Sequence, residues 1–197
     1  GVKLWQMRNH AVTDEYEPGS TMKPFTIAAA LRAGTIKPDT VIDTGDGTYE
    51  IGNRRIHDTH ANGMLTITQV IEKSSNIGAA KIALELKPEY FWNELNKVGF
   101  GTAPQLGFPG VASGRLRPYP RWHTIDQATM AYGNGIAVSL LQMARGYTVF
   151  ANDGAMKPVT LLKQDDPSSK EVQVFSPATA HAALAMMETV VSPQGTA

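Results

Sequence analysis

The sequence contains no cysteine among its 197 residues, which excludes disulfide bonds, cysteine-ligated zinc and thiol catalysis. Acidic and basic side chains are equal in number, so bulk charge indicates neither a nucleic-acid surface nor a membrane surface. No apolar run reaches the roughly 18 residues of a transmembrane helix, so no membrane span is predicted within this chain. What remains is the composition of an ordinary globular domain.

The chain begins at Gly1 rather than at a methionine, and no secretion signal is visible at its start. We therefore expect it to be part of a longer polypeptide. Its length is enough for one domain with a hydrophobic core, or for part of a larger domain. No internal repeat and no low-complexity segment divides it.

The most informative segment is Glu17-Pro18-Gly19-Ser20-Thr21-Met22-Lys23-Pro24, at the start of an alanine-rich stretch. Side chains three residues apart share a helical face, so the Ser20 hydroxyl and the Lys23 amine are predicted to be neighbours. A serine becomes nucleophilic when a base accepts its proton, and a lysine is a base only when neutral. Burial lowers the pKa of a lysine toward that state. The pair is therefore a candidate acyl-transfer nucleophile with its own base.

The same residues also fit an ordinary helix start that carries a solvated lysine. With nine serines and ten lysines in the sequence, chance alone supplies about 0.5 such pairs in a chain of this length. On spacing alone, the ordinary helix start is therefore favoured. A second motif is needed to decide between the two interpretations.

A second polar motif, Ser74-Ser75-Asn76, interrupts two apolar helical stretches. Serine and asparagine prefer caps and loops to helix interiors, so these residues are predicted to form a corner between two helices. If the corner faces Ser20 and Lys23, Ser74 would relay a proton and Asn76 would bind a carbonyl oxygen. The alternative is a loop whose serine and asparagine side chains only cap the helix ends.

Helices dominate the predicted secondary structure. Proline in a first turn, glycine after a last turn and the Ser/Thr-x-x-Gln capping pattern mark their ends. The predicted helical segments are 20–33 with Gly34 as its cap, 66–73 from the Thr66-x-x-Gln69 box, 77–86, Pro88 to just before Gly99, two helices that open at the Thr124-x-x-Gln127 and Ser139-x-x-Gln142 boxes, and 176–191.

Predicted strands are fewer and shorter. Residues 41–58 alternate weakly and are predicted to form a hairpin with its turn at Gly45-Asp46-Gly47. Residues 157–163 and 172–175 have strand character on either side of a polar turn at Asp165-Asp166-Pro167. Residues 101–122 are rich in Gly, Pro and Arg and are predicted to form an ordered loop. So few strands are unusual for a complete α/β domain.

Both polar motifs occur in the order found in a known family, and the residues around them match as well. The chain resembles the class B penicillin-binding proteins, and among them the septal peptidoglycan transpeptidases. Ser-x-x-Lys is a known signature of their superfamily. The matching segments cover nearly the whole chain: Met7-Arg8-Asn9 with Thr13-Asp14, Glu17 to Pro24, Lys73 to Gly78, Gly99 to Gly101, Leu106 to Gly110, Tyr132 to Gly135, and Met186 to Val190.

The resemblance implies an α/β fold of the penicillin-binding-protein/β-lactamase-like transpeptidase type, here mostly its helical part. It implies that Ser20 is the acylated nucleophile and Lys23 its general base, with Ser74 and Asn76 lining the cleft. The donor substrate would be a peptidoglycan stem peptide ending in D-Ala-D-Ala, which β-lactam antibiotics mimic. The Ser20 amide would supply one oxyanion donor. No cofactor is implied.

The resemblance also implies a location and further partners. The chain would belong to the periplasmic domain of a bacterial protein anchored in the inner membrane, with the anchor outside this chain. Division-machinery proteins would be its partners during septum formation, and no nucleic-acid partner is expected. The pair His57 and His60 has no acidic residue at matching spacing, so a metal site is not predicted.

The family's third motif, Lys-Thr/Ser-Gly, is absent from the sequence. Gly195-Thr196-Ala197 matches only the residues that follow its lysine. We therefore expect residues 1–197 to form a partial transpeptidase domain that stops short of this strand, with much of the main sheet outside the chain. The rest of the same domain, or a second chain, would supply it. Without it we expect neither turnover nor a stable monomer, because apolar surface would be exposed.

Two other functions are compatible with the same scaffold. A β-lactamase would need a base that activates a deacylating water, and no glutamate stands in a context that marks it for this task. A β-lactam sensor or a scaffold without turnover would bind the antibiotic but would not need to release it. The pattern from Tyr132 to Gly135 is of the septal type and favours the transpeptidase over the sensor by resemblance alone.

Overall fold

The structure is a computed structural model, and it describes residues 3, 7–107, 109–163 and 171–196. Short 3-10 turns at Gly19–Met22, Tyr119–Arg121 and Thr189–Val191 accompany the α-helices. In chain order the α-helices are α1 (His10–Thr13), α2 (Lys23–Ala33), α3 (Ile67–Glu72), α4 (Asn76–Leu84), α5 (Pro88–Lys97), α6 (Thr124–Met130), α7 (Leu140–Ala151) and α8 (Pro177–Glu188).

Within the described ranges the strands form three separate antiparallel pairs. They are β1 (Val41–Asp43) with β4 (Met64–Thr66), β2 (Thr48–Ile51) with β3 (Arg54–His57), and β5 (Ala155–Met156) with β6 (Val172–Gln173). The register places Ile42 opposite Leu65 and Tyr49 opposite Ile56. The prediction of a mixed α/β fold made mostly of helices is confirmed.

Helix α2 lies at the centre of the hydrophobic core. All of residues 23–30 are buried, so the helix has no solvent-facing side until its last turn. Phe25 packs its ring against Phe100 and Phe150, with ring centroids 5.2 and 5.0 Å apart. Helices α4 and α8 pack directly on α2. A helix buried on all sides is held by tertiary packing rather than by its own amphipathicity.

The predicted boundaries of α2 are close to the observed ones. The chain is helical from Gly19, but the first turn is a 3-10 turn and the α-helix proper begins at Lys23. Pro24 explains the difference, because it has no amide to donate to the Ser20 carbonyl, which accepts from Lys23 instead. Gly34 caps the other end in the left-handed region (φ 73°), as predicted.

Two predicted capping boxes are confirmed. The Thr66 hydroxyl accepts from the Gln69 amide at the start of α3, and the Ser139 hydroxyl accepts from the Gln142 amide at the start of α7. In both boxes the side-chain Oε1 of the glutamine accepts a hydrogen bond from the backbone amide of the capping residue. The predicted start of α5 at Pro88 is also confirmed.

The side-chain amide of Gln142 also orders the loop at residues 101–122. Its Nε2 donates to the carbonyl of Thr102 at 3.0 Å and to that of Ser113 at 2.8 Å. A buried amide that bridges distant carbonyls fixes irregular backbone without a strand. The prediction of an ordered loop holds for the described residues, whereas Phe108 lies outside them.

The predicted Thr124-x-x-Gln127 box is wrong by one residue. His123 is the residue before α6, and the Asp126 carboxylate accepts from its backbone amide at 2.9 Å. Gln127 is buried instead and donates from Nε2 to the carbonyls of Ala83 and Leu86, each at 2.8 Å. Those carbonyls lie at the end of α4, so Gln127 ties two helices together, a role that the local pattern did not predict.

The predicted hairpin is present, but its turn is elsewhere. The chain reverses at residues 52–53, between β2 and β3, and β1 pairs with β4 rather than with β2. The carboxylates of Asp43 and Asp46 accept from backbone amides two residues on, which makes local turns at residues 43–48. These turns lead from β1 into β2 without pairing the two strands. Burial of Ile56 opposite Tyr49 then favours the pairing of β2 with β3.

The prediction of two strands near the C-terminal end is correct for one of them. Residues 172–173 form β6, but its partner β5 lies before residues 157–163, which are not a strand. The Gly154 carbonyl fixes this register, because it accepts from the amides of both Val174 and Phe175. The predicted turn at residues 165–167 lies outside the described residues. The final helix is confirmed, since α8 and its 3-10 turn end at Val191.

Candidate active site

The side chains of Ser20, Lys23 and Ser74 meet in one hydrogen-bonded cluster. The Lys23 amine donates to the Ser20 hydroxyl at 2.7 Å and to the Ser74 hydroxyl at 2.9 Å. The two hydroxyls are themselves 2.9 Å apart, with Ser74 donating to Ser20. The predicted proximity of Ser20 and Lys23 is confirmed, and the corner at Ser74 faces them. Their catalytic roles remain predictions.

The backbone of Ser74 is in the left-handed region, with φ of 55°. The amide of Ser74 donates to the Ile71 carbonyl and the amide of Ser75 donates to the Val70 carbonyl, which is the bond pattern of a Schellman helix end. Glycine usually occupies this position, because a side chain there costs conformational energy of about 1–3 kcal/mol. Ser75 then caps the next helix, α4, by accepting from the Gly78 amide.

Lys23 is buried, with 1% of its surface exposed. Burial lowers the pKa of its amine from 10.5 to about 8, although the negative charge of Asp58 acts in the opposite direction. Desolvation dominates because the amine has hydroxyl and carbonyl oxygens, rather than a carboxylate, as its hydrogen-bond partners. A substantial fraction of Lys23 is therefore neutral near pH 8, which is the state that can accept a proton.

Asn76 occupies the first turn of α4, and its side-chain amide bonds to β3 rather than to the cluster. Its Nδ2 donates to the His57 carbonyl at 3.0 Å. The structure therefore brings together three of the four predicted site residues, whereas the amide of Asn76 is used to anchor the corner to the end of β3. Carbonyl binding by Asn76 remains a prediction.

Asp58 belongs to the site, although the sequence did not predict it. Its Oδ2 accepts from the Ser75 hydroxyl at 2.5 Å, and its Oδ1 accepts from the amides of Asn76 and Ile77 at 2.6 and 3.0 Å. A carboxylate at a helix N-terminus satisfies amides that have no partner within the helix. Seventeen residues separate Asp58 from Ser75, so no local pattern could have revealed the contact.

The loop before Ser20 is held by the turn that follows α6. The Glu17 carboxylate accepts from the Gly135 amide at 2.9 Å, and the Gly19 amide donates to the Gly133 carbonyl. A Cβ on Gly133 would lie 2.1 Å from the Gly19 carbonyl oxygen, so only glycine allows the two backbones to approach this closely. The motif from Tyr132 to Gly135 thus fixes the segment that carries Ser20.

A groove of about 340 Å³ opens beside the cluster. Its polar end is formed by Ser20, Lys23 and Ser74. Tyr147 forms one wall, and its hydroxyl donates to the Thr21 carbonyl at 2.8 Å. Burial raises the pKa of Tyr147 to about 12, with a smaller contribution from Tyr16. The remaining lining residues are mainly apolar: Thr21, Pro24, Ile71, Met187, Val190, Val191 and Thr196.

Metal-binding side chains do not gather in the described part of the chain, where no three His, Asp or Glu residues cluster as ligands would. His57 uses its backbone carbonyl to accept from Asn76 and holds its ring 3.5 Å from the Thr48 hydroxyl. Nor does any helix among the described residues have the length and apolar character needed to cross a bilayer.

The geometry defines a class of enzyme site. A serine hydroxyl lies within hydrogen-bond distance of a buried amine that can be neutral, a second hydroxyl bridges to both, and a groove opens beside them. An activated nucleophile, its base and a relay group are the elements of serine acyl transfer. The arrangement therefore fits a serine–lysine acyl-transfer site.

Comparison with known proteins agrees with this class. Residues 2–197 match the family model described as the penicillin binding protein transpeptidase domain. The chain is 41% identical over 191 residues to a probable peptidoglycan D,D-transpeptidase, PenA, of Neisseria flavescens, covering 97% of this chain and 47% of the relative. A second relative, PbpC of Pseudomonas aeruginosa, is 40% identical over 190 residues, covering 96% and 34%.

A solved structure is also similar. The apo transpeptidase domain of penicillin-binding protein 3 from Burkholderia pseudomallei superimposes with a TM-score of 0.92 at 49% identity, covering 97% of this chain and 58% of that one. The chain belongs to the penicillin-binding protein transpeptidase domain family. It spans about a third to a half of the length of the curated relatives named above.

Proposed function

We propose that this chain contributes the nucleophile and base of a peptidoglycan D,D-transpeptidase, in which Ser20 is acylated by a stem peptide ending in D-Ala-D-Ala. The observation that carries the proposal is the buried Lys23 amine 2.7 Å from the Ser20 hydroxyl. Family membership and the names of the relatives support the same reaction. The β-lactam ring would acylate the same hydroxyl.

In the first step, neutral Lys23 accepts the hydroxyl proton as Ser20 Oγ attacks the carbonyl carbon of the penultimate D-alanine. The tetrahedral intermediate collapses with cleavage of the bond to the terminal D-alanine, whose amine takes a proton as it leaves. Ser74, within 2.9 Å of both Lys23 and Ser20, is positioned to carry that proton from lysine to leaving group. Lys23 is neutral again at the end of the step.

In the second step an amine from a neighbouring stem peptide attacks the acyl-Ser20 ester. The amine loses a proton, the Ser20 oxygen regains one, and the new amide is the cross-link. With a β-lactam, the ring amide opens onto Ser20 and its amine stays attached to the acyl group, so an incoming nucleophile is blocked. A long-lived adduct is therefore expected with the antibiotic.

Two groups are proposed to bind the carbonyl oxygen. The Ser20 amide lies at the start of a helical segment, where backbone N–H groups favour developing negative charge. Asn76 would release the His57 carbonyl and turn toward the substrate. We propose that residues 1–197 are part of a larger transpeptidase domain and that a Lys-Thr/Ser-Gly strand comes from the rest of that domain or a second chain. The length of the relatives supports this proposal.

The cellular setting is proposed on similarity. Likeness to a penicillin-binding protein 3 supports a role in septal cell-wall synthesis, with division-machinery proteins as partners. The same likeness supports a periplasmic location in a protein anchored in the inner membrane.

Intact-mass measurement of the full-length protein with benzylpenicillin tests the proposed function. We expect an adduct on Ser20 that persists for hours, no adduct in Ser20→Ala, and an unchanged adduct in Ser113→Ala, which alters an exposed serine outside the groove. Rapid return to the unmodified mass would indicate a β-lactamase. A persistent adduct together with normal cell growth of the Ser20→Ala strain would indicate a sensor or scaffold.

A further inference from the structure

The strained corner at Ser74 must be held from outside its own helix. Its left-handed backbone sits between the end of α3 and the start of α4, and its hydroxyl and carbonyl both accept from Lys23. Helices α3 and α4 both pack on α2, but a strained backbone persists only where further contacts over-determine it. The side chain of Asp58, which follows β3, supplies three hydrogen bonds to the start of α4.

We propose that Asp58 is a positioning residue for acylation, holding the Ser74 corner against the Ser20–Lys23 pair through the first turn of α4. The inference rests on the proposed function of Ser20. Both oxygens of the carboxylate are used, one on the Ser75 hydroxyl and one on two successive amides. This bidentate arrangement fixes the rotation of the first turn of α4, and with it the residue that precedes Ser75.

The charge of Asp58 adds a separate, measurable effect on Lys23. It favours the protonated form of Lys23 and so opposes part of the desolvation that lowers the pKa of that amine. Other titratable groups on the elements packed around Lys23 are Glu72 and Lys73 at the end of α3, which pair at 3.2 Å, Tyr147 on α7 and Glu188 on α8. Lys81 on α4 donates to the carbonyl of Asp43. Of the charged groups among the described residues, Asp58 is the one whose negative charge raises the pKa of Lys23.

The test is the pH profile of acylation of the full-length protein by a fluorescent penicillin. Asp58→Asn keeps an acceptor for the two amides and removes the charge. Without that charge the pKa of Lys23 should fall, so the rising limb of the rate–pH profile should move to lower pH. Asp58→Glu keeps the charge but displaces the carboxylate. The rising limb should therefore remain at the wild-type pH, while the maximal acylation rate falls about tenfold. Asp46→Asn is the matched control, because Asp46 caps the Thr48 amide in a nearby loop, and it should change neither quantity.

The outcomes separate the inference from the proposed function. If the wild-type protein forms no adduct on Ser20 at any pH, the proposed function fails. If the wild-type protein is acylated but folded Asp58→Asn and Asp58→Glu both keep its limb and maximal rate, only the inference fails. Lower melting temperatures with unchanged kinetics would make Asp58 merely structural. If Asp58→Asn does not fold, two other variants test the inference by their maximal acylation rates: Asp58→Glu, and Ser75→Ala, which removes one of the three hydrogen bonds. Lower rates in both folded variants support the inference, and wild-type rates in both overturn it.

Discussion

A charged side chain is buried at each end of α2, Lys23 of the helix itself at its start and Glu94 of α5 at its end, and their hydrogen-bond partners differ. At its start, Lys23 is 1% exposed and donates to neutral hydroxyl and carbonyl oxygens. At its end, Arg32 reaches the carboxylate of Glu94, which is also 1% exposed, at 2.8 Å. Lys97 approaches the same carboxylate at 2.9 Å.

The difference teaches how one helix can serve both stability and chemistry. A buried charge with an opposite charge beside it stays ionised, and removal of its partner is costly. A buried charge that has only neutral partners is driven toward its neutral form, as the lowered pKa of Lys23 indicates. The Glu94 end therefore holds the fold together, whereas the Lys23 end keeps an amine ready to accept a proton.

The largest effect should come from removing the amine itself. Lys23→Ala takes away the base, and we expect acylation of Ser20 by penicillin to slow about a thousandfold. Lys97→Ala, at the other end of the comparison, should leave acylation unchanged. Rates of fluorescent penicillin binding give both values. Undiminished labelling of the Lys23→Ala protein would refute the base assignment.

The glycines near the two ends of α2 offer the next comparison. Gly133→Ala would place a Cβ 2.1 Å from the Gly19 carbonyl oxygen, at a φ of 87°. We expect a loss of about 3 kcal/mol in unfolding free energy, together with slower acylation because the Ser20 loop is displaced. Gly34→Ala has the same kind of backbone (φ 73°) but open space around it. It should cost only about 1 kcal/mol and leave acylation unchanged, as urea unfolding and acylation rates would establish.

The pH dependence of acylation tests the difference between the Lys23 end and the Glu94 end of α2. Because Lys23 must be neutral, the rate should rise with pH, be half-maximal near the pKa of about 8, and level off above it. Two pH units lower, about 1% of the amine is neutral, so the rate should fall roughly fiftyfold. Stopped-flow acylation from pH 5.5 to 9.5 measures the curve. A flat profile across this range would show that no lysine deprotonation limits the reaction.

The smallest of these effects is expected at the compensated end. Arg32→Met leaves the buried Glu94 carboxylate with Lys97 as its charged partner and removes the donor to the Val174 carbonyl. We expect a loss of about 2 kcal/mol in unfolding free energy, less than for a fully buried pair because the Arg32 side chain is 39% exposed. Urea unfolding measures it. A matching loss of acylation in the folded variant would mean that the two ends are not independent.

Local patterns predicted the parts of this molecule that local chemistry determines. The boxes at Thr66 and Ser139, the cap at Gly34 and the shared face of Ser20 and Lys23 all depend on residues a few positions apart. The break at Ser74 was also visible, because serine and asparagine rarely continue a helix. In each case the interacting groups lie within one or two turns of backbone.

Contacts across the fold were not predictable in the same way. Asp58 reaches Ser75 over 17 residues, and Glu17 reaches Gly135 over 118. The carboxylate of Glu94 lies on a helix whose sequence alone does not distinguish a solvated glutamate from a buried one. The displaced hairpin turn has the same cause, since the pairing of Tyr49 with Ile56 follows from burial in the assembled core.

The enclosure of α2 has a consequence for how the reaction begins. A helix whose first two turns touch protein on every side cannot slide or rotate when a peptide arrives, because each neighbour would have to repack with it. Nucleophile and base are therefore preorganised, and binding energy need not be spent on assembling them. Ala28, Ala29 and Ala30 are fully buried in the same helix. A larger side chain at any of them would force the helix to move, and the Ser20 oxygen would be displaced although the new side chain does not touch the substrate.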